Sequence, residues 1–405
     1  MATVVIVGTL DTKGEEFVYA RRLIGAAGCK VVMVDVGVGE PAHLVPDISA
    51  TEVAAAAGST LEGLRERNDR GHAMAAMAAG AAAVVGDLHK SGRLDAVFSL
   101  GGSGGSSIAT AAMRALPVGV PKVMVSTVAA GDVGPYVGTS DIMMLYPVID
   151  FAGLNVVSER IIANAAAAVS AMAKQARPIV PLKPILAITM FGVTTPAAMT
   201  ARAALESAGY EVLVFHANGA GGRAMEALMR DGVIRGVLDL TTTELADELV
   251  GGTLTAGPDR LEMAGRLGLP QVVSLGALDM VNFGPMEAVP ERFRGRHFYR
   301  HNPNVTLMRT TPEECAALGT TIAQKLNRAK GPVAVFVPAK GISAIAKPGA
   351  VFFDPAADTA LFASLRAALD SAIECTFVDT DINDPGFART MAEKLIALMR
   401  RGDET

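Results

Sequence analysis

Thr3-Val-Val-Ile-Val-Gly8-Thr-Leu-Asp-Thr-Lys-Gly-Glu15 opens with an unbroken apolar run, turns at a glycine and continues into a polar helical start. A continuous β-branched run marks a strand covered on both faces, since neither side of it meets water. The same succession recurs downstream. Apolar runs at Val4–Val7, Val31–Val34, Ala96–Leu100, Val123–Ser126 and Ile142–Leu145 alternate with helical patterns at Glu15–Ala27, His72–Lys90, Ser106–Ala115 and Leu154–Lys174. A parallel strand pair needs a crossover, which a helix supplies, so this alternation predicts βαβ units.

Arg177-Pro-Ile-Val-Pro-Leu-Lys-Pro184 interrupts the pattern with three prolines, which remove donors and disfavour helix in the preceding residue. It predicts a linker between domains 1–178 and 179–405. The pattern then restarts with strands at Ile185–Met190, Val212–Phe215 and Val237–Leu240, and later at Val272–Ser274, Thr306–Met308, Val333–Val337 and Thr376–Val378. Helices are predicted at Ala197–Ala208, Arg223–Arg230, Pro312–Arg328, Ala360–Ser371 and Pro385–Arg401. Gly8-Thr-Leu-Asp11 and Gly192-Val-Thr-Thr195 open the two halves alike, which leaves an internal duplication open. The expected fold is α/β: two Rossmann-like three-layer subdomains with mostly parallel sheets, and a ligand cleft between them.

The chain has 405 residues, 50% hydrophobic and 19% charged, with 36 basic against 41 acidic residues. A mean hydropathy of +0.36 raises the question of a membrane protein. The alanine-rich stretches Ala73–Val85 and Ala163–Ala173 fall short of the roughly 18 apolar residues that a span needs. No span is expected, and with no basic run there is no nucleic-acid footprint. Cys29, Cys315 and Cys375 are isolated, which fits reduced thiols and a cytoplasmic protein. No basic segment and cleavage site precede the first strand, so no secretion signal is expected.

In open α/β sheets ligands bind beyond the carboxyl ends of the strands, and the polar glycine-rich segments fall at those positions. Thr9, Asp11, Thr12 and Lys13 follow the first strand. There Thr and Lys can donate to phosphate, helix amides add positive potential, and Asp11 could hold magnesium. The alternative is a plain turn with Asp11 or Thr12 as helix cap. Gly101-Gly-Ser-Gly-Gly-Ser-Ser107 follows the third strand and exposes amides to a phosphate or carboxylate. It lacks the Gly-Lys-Ser/Thr ending of a Walker A loop. Thr127, after the next strand, could face the same crevice.

In the second half, His216-Ala-Asn-Gly-Ala-Gly-Gly-Arg-Ala224 offers Gly221, Gly222 and Arg223 as an anion or substrate loop, and His216 as acid, base or phosphate donor. Gly219, Gly221, Ala224 and Asp239 also satisfy a relaxed dinucleotide fingerprint, which keeps an NAD(P)-dependent oxidoreductase as an alternative. Asp239, a base candidate, begins a polar junction that includes Thr241. Asp279, Asn282, Arg309 and Lys340 complete the candidates. His297 and His301 do not sit in a helical context, no Cys/His cluster supports zinc, and no G-x-S-x-G elbow occurs. His43, His72 and His89 read as surface residues.

These segments together resemble a known family. Gly8-Thr-Leu-Asp-Thr-Lys-Gly-Glu-Glu16, Gly101-Gly-Ser-Gly-Gly105, His216–Glu226, Asp239-Leu-Thr-Thr-Thr-Glu-Leu-Ala-Asp247, Asp279-Met-Val-Asn-Phe283, His301–Arg309 and Lys340-Gly-Ile-Ser343 span the chain. They resemble the ATP-binding domain family typified by the N-terminal half of the tomato mosaic virus resistance protein. The resemblance implies two α/β subdomains, ATP binding and a homodimer. Thr9 to Lys13 match its first loop, and Gly101 to Ser107 match its glycine-rich loop. The plant protein also has a barrel-like C-terminal half, so a separate TIM-barrel-like enzyme is an expected partner in bacteria. The combined expectation is ATP and Mg2+ on the first domain's loops, with a small anionic metabolite met by His216, Arg223, Asp239 and Arg309. Phosphoryl transfer or ATP-driven activation is the reaction class, and a non-catalytic ATP-sensing scaffold is the alternative.

Overall fold

The computed structural model describes residues 1–40, 44–177 and 181–403. The chain forms two compact units, Met1–Ile179 and Val180–Thr405. His43 and the Pro178–Val180 part of the proline-rich segment lie outside the described residues.

Unit 1 runs β1 (Thr3–Gly8), α1 (Leu10–Ala26), β2 (Lys30–Asp35), α2 (Ala50–Ala56), α3 (Leu61–Arg67), α4 (Arg70–Lys90), β3 (Ala96–Gly101), α5 (Ser103–Arg114), β4 (Lys122–Ser126), α6 (Gly134–Val137), β5 (Met143–Leu145) and α7 (Val156–Gln175). Its strands form one parallel sheet in the order β2-β1-β3-β4-β5. Successive strand residues face opposite sides, so Val4 and Ile6 pack under α1 and α7, while Val5 and Val7 pack under α2 to α5. Both faces are covered, which is why the strands read as continuous apolar runs.

Two helices are longer than the alanine-rich stretches inside them. By length and composition α4 and α7 each reach what a membrane crossing requires. Each nonetheless lays one face on the sheet, α4 through Met77, Ala81 and Val85, and α7 through Ile162, Ala166 and Val169.

Unit 2 repeats the plan: β6 (Ile185–Met190), α8 (Thr195–Ser207), β7 (Glu211–His216), α9 (Ala220–Arg230), β8 (Ile234–Thr241), α10 (Glu244–Val250), α11 (Met263–Leu267), β9 (Gln271–Gly276), β10 (Met280–Phe283), β11 (Phe298–Asn302), β12 (Val305–Arg309), α12 (Pro312–Leu326), β13 (Val333–Pro338), α13 (Pro355–Ala368), β14 (Glu374–Val378) and α14 (Pro385–Asp403). The main sheet is parallel, in the order β14-β13-β9-β8-β6-β7. The helices α8 and α14 cover one face, and α9, α12 and α13 cover the other. A small antiparallel sheet, β10-β12-β11, is inserted between β9 and α12. Its outer strands escape the sequence pattern because β10 is four residues long and β11, Phe-Tyr-Arg-His-Asn, is mostly exposed and does not alternate.

Both units therefore wind alike. The second strand lies outside the first and the third returns to the first strand's other side, an order whose ligand crevice falls between strands one and three. In unit 1 that crevice lies between β1 and β3; in unit 2 it lies between β6 and β8. Cys29 and Cys315 are buried free thiols and Cys375 is half-buried.

Candidate functional site

The β1 and β3 ends of unit 1 meet at a cavity of about 650 Å3. Thr9, Asp11, Thr12 and Lys13 line it from one side, and Gly101, Gly102, Ser103, Gly104 and Gly105 from the other. Two segments separated by some ninety residues of sequence thus share one wall, as the winding order requires. Both are helix starts rather than free loops. Ser103, Gly104 and Gly105 form the first turn of α5, whose N-cap Gly102 supplies no side-chain cap. The leading amides of that helix are accordingly open to an anion.

Glycine matters here for approach. A Cβ on Gly104 would come within 3.4 Å of the Arg70 guanidinium and 3.8 Å of Met74, and one on Gly105 would lie 3.9 Å from the Thr9 hydroxyl. Arg70, the first residue of α4, is exposed and has no hydrogen-bond or ion-pair partner among the described residues. It puts a cation beside the amides of α5. Behind it, Val36, Leu64, Met74, Met77 and Ile108 give the cavity an apolar wall. One end favours negative charge and the other a flat apolar group.

Asp11 is fixed by its surroundings. Its Oδ2 accepts from the Gly39 N–H at 2.9 Å, and a Cβ on Gly37 would collide with the carboxylate. Its Oδ1 is buried without a hydrogen-bond partner. Asp35, at the end of β2, accepts from the amides of Leu10 (3.2 Å) and Gly37 (2.9 Å), and burial raises its pKa despite them. The hydroxyls of Thr12 and Thr9 are 2.9 Å apart. Lys13, where α1 departs from helical geometry, turns its ammonium to the Phe151 carbonyl. No cluster of three or more metal-ligating side chains exists among the described residues. Ser106 is buried, bonded to the Gly102 carbonyl at 2.8 Å and to Ser126 Oγ at 2.5 Å; Ser106, Ser107 and Thr127 do not line the cavity.

The glycine-rich segment of unit 2 already holds an anion, and it is the protein's own. Glu244 Oε1 accepts from the amides of Gly219 (2.7 Å) and Gly222 (3.0 Å), while the Gly221 amide donates to Asn218 Oδ1 at 3.1 Å. Glu244 Oε2 in turn takes Arg260 Nε at 2.6 Å. Arg260, 1% exposed, also forks onto both oxygens of Asp239 at 2.5 and 2.7 Å, and Thr189 donates to Asp239 at 2.8 Å. Burial alone would lower the Arg260 pKa, but Asp239 and Glu244 hold it well above the ordinary value. Glu226, 3.7 Å from Arg260, is pushed up to about 7 by burial, which Arg260 only partly offsets.

The dinucleotide fingerprint follows β7, which is an edge strand, and the amides of its glycines are internally satisfied. Asp239 is locked in an ion pair and has no oxygen open to a substrate.

The other unit 2 candidates each have their own contacts. His216 is exposed and packs its ring against Phe191, centroids 5.1 Å apart. Arg223 donates to the Thr255 carbonyl at 2.7 Å. Thr241 is buried and bonded to Thr189 and Thr194. Asn282 holds Asp247 through Nδ2 at 2.7 Å and through its amide at 3.0 Å. Arg309 is buried and spends its donors on the Phe352 carbonyl, Thr310 and Asp358. Burial raises Asp247, Asp279 and Asp358 each to about 6. Lys340 pairs with Asp379 at the surface, 2.7 Å apart.

Sequence reasoning missed Arg70 and Arg260. Arg70 stands beside the helix cap Asp69, whose Oδ1 accepts from the His72 amide at 3.0 Å; that signal marks a helix start but not a charge facing a cavity. Arg260 lies in an irregular stretch with no periodicity to draw attention to it.

Comparison with known proteins adds the lineage. A "UPF0261 protein" of Clostridium tetani is 52% identical over 400 residues, covering 98% of this chain and 99% of that one. The ToMV resistance protein Tm-1(GCR237) of Solanum lycopersicum is 42% identical over 337 residues, which are 81% of this chain and 45% of the tomato protein. Among solved structures, a Streptomyces glycosyltransferase complexed with thymidine diphosphate aligns at 14% identity with a TM-score of 0.19, too loosely to carry weight. Residues 2–178 match the N-terminal domain and residues 183–399 the C-terminal domain of the Uncharacterised protein family (UPF0261), and the chain belongs to that family.

Proposed function

We propose that unit 1 binds ATP, with its phosphates on the open amides of α5 and on Arg70 and its base against the apolar wall of Met74 and Met77. The observation that carries this reading is one cavity, at the β1/β3 crossover, whose wall joins an uncapped helix start to an unpaired guanidinium. Its volume of about 650 Å3 falls in the range of small-molecule sites, about 300–1,000 Å3. Asp11 suits Mg2+, which takes one or two protein carboxylates and fills its remaining positions with phosphate oxygens and water. Its unpartnered Oδ1 is the atom that would bind. As an enzyme, the protein would use the nucleotide to activate a small anionic metabolite by phosphoryl transfer, chemistry that rests on positioning and charge neutralisation. We further propose a homodimer in the cytoplasm and, because the alignment covers 45% of the tomato relative, a separate barrel-like enzyme as partner.

The test is calorimetric titration of the full chain with Mg-ATP, followed by thermal melts. Binding is expected, along with stabilisation by about 2.7 kcal/mol at a hundredfold excess over Kd. Arg70→Ala should weaken binding about tenfold, the scale of one charge-assisted hydrogen bond. No heat with Mg-ATP, or equal affinity for NAD, would refute the assignment.

A second reading, an ATP sensor without turnover, is favoured by the state of the acid–base candidates. Asp239 and Arg309 are both consumed by internal ion pairs. Sustained, metabolite-dependent ATP hydrolysis would exclude that reading.

A further inference from the structure

The segment Glu291-Arg-Phe-Arg-Gly-Arg-His-Phe-Tyr-Arg-His-Asn302 runs against the charge of the chain, whose net is −5: it carries four arginines and two histidines against one glutamate. Its second half is β11, an edge strand of the small sheet β10-β12-β11. The His297 carbonyl accepts from the Arg309 amide at 2.9 Å, and Tyr299 pairs with Leu307. Backbone groups of successive strand residues point to opposite edges, so the N–H and C=O of Phe298 and Arg300 point away from β12. No strand pairs with them there among the described residues. The bulge of β11 falls after Arg300, which leaves the preceding residues in regular register. Arg294 and Arg296 are paired with Glu291 and Glu314, but Arg300 is exposed and has no hydrogen-bond or ion-pair partner among the described residues. On the opposite face the Tyr299 ring packs 6.3 Å from Phe352, which is flanked by Val351 and Phe353, 40% and 43% exposed.

These features select the occupant. A free strand edge offers alternating donors and acceptors, which an extended polypeptide matches as a further strand. A second copy of β11 does not suit it, because self-pairing would double the positive charge along one edge with no acid to offset it. Nucleic acid brings no N–H and C=O ladder, and with Arg294 and Arg296 already paired few cations remain for a phosphate backbone. We propose that β11 is a docking edge for an extended acidic segment of a partner protein, which adds to β10-β12-β11 as a fourth strand. A carboxylate of that segment meets Arg300, and the neighbouring side chain, on the other face, lies on Tyr299, Val351 and Phe353. Arg300 thus deters a second copy and admits an acid. The edge belongs to unit 2 and does not depend on the nucleotide reading.

Fluorescence anisotropy of a labelled peptide of four Glu-Val repeats, titrated with the full chain at neutral pH and low salt, tests it. Saturable binding is expected, weakening as salt rises because part of the attraction is between charges. Arg300→Glu should weaken it by about tenfold or more, the scale of one charge-assisted hydrogen bond. His301→Glu, also at an exposed position, should weaken it several-fold and keeps the test alive if the first variant does not fold. The backbone separates a strand from a loose ionic contact. With glutamate opposite Arg300, the glutamate N–H groups face β11 and the valine N–H groups face away. Methylating the glutamate nitrogens should therefore abolish binding, and methylating the valine nitrogens should not. Absence of binding overturns the proposal, as does affinity unchanged in both variants or by methylation of the glutamate nitrogens. Tighter binding of oligouridylate than of the peptide would assign the patch to nucleic acid and equally overturn it.

Discussion

Arg260 shows how much one side chain can organise. It neutralises Asp239 and Glu244 in the interior of unit 2, and Glu244 in turn satisfies the amides of Gly219 and Gly222. The backbone of the β7–α9 connection, the ends of β8 and the start of α10 are thus tied through one guanidinium. Breaking a buried ion pair from one side strands the remaining charge, at a cost of about 3–5 kcal/mol. Arg260→Leu should therefore lower the stability of unit 2 by that amount in urea denaturation. Glu244→Gln should cost less, because an amide oxygen can still accept from both glycines. Equal losses in the two variants, or a loss within about 1 kcal/mol for Arg260→Leu, would mean that the network is not what holds the loop. An anion-binding loop was legible at Gly219–Gly222, but its occupant was not. Whether a glycine nest faces solvent or an internal carboxylate depends on a residue 22 positions away, and periodicity does not report on that.

At the scale of the element, α5 carries the functional argument because its first turn is left uncapped. Glycine in a helix costs about 0.5–1 kcal/mol relative to alanine, so Gly104 in that turn is a concession that the fold does not need. A methyl group there would reach ordinary contact distance from Met74 and 3.4 Å from Arg70, and would enter the cavity. Gly104→Ala is expected to raise the melting temperature slightly while weakening Mg-ATP binding, a pairing typical of positions held for function. Gain of both stability and affinity would argue that the helix start has no role in binding. The strands were legible because doubly covered strands read as apolar runs. The helix starts were read too late: Ser103–Gly105 belongs to α5 and Asp11–Lys13 to α1, since serine, glycine and threonine break the apolar period while still taking helical geometry. The amides expected in a glycine-rich loop after β3 therefore belong to the first turn of a helix. The antiparallel β11 gave no pattern because its residues are mostly exposed.

For the whole molecule, the distribution of buried acids sets a pH dependence. Asp247, Asp279 and Asp358, each raised to about 6, and Glu226, raised to about 7, all belong to unit 2. Burial is the leading cause in each case. Asp279 shows the balance most clearly, because Arg309 and a 2.9 Å bond from Ser343 favour its ionised form while complete burial and Asp358 oppose it. A carboxyl whose pKa is higher in the folded than in the unfolded chain binds protons preferentially in the native state. Its contribution is complete below the unfolded value near 4 and disappears as pH rises through the folded value near 6 or 7. Unit 2 should therefore be more stable near pH 5 than near pH 8, opposite in sign to a protein dominated by salt-bridged surface carboxylates. A tenfold gain in proton affinity on folding corresponds to about 1.4 kcal/mol, and with pH 5 lying about one unit below the folded value, Asp279 alone accounts for about 1 kcal/mol between pH 5 and pH 8. Asp279→Asn should flatten the dependence by that amount, with little change near pH 5, where the native carboxyl is already protonated. Urea midpoints followed by circular dichroism at the two pH values measure this directly. A midpoint that rises towards pH 8, or an Asp279→Asn variant with the parent's slope, would show that these carboxyls are ionised and compensated within the folded unit. The charge of Arg309, which is ion-paired with Asp358, would then outweigh the burial of Asp279, and the insertion that carries β12 would owe its stability to that charge rather than to a protonated acid.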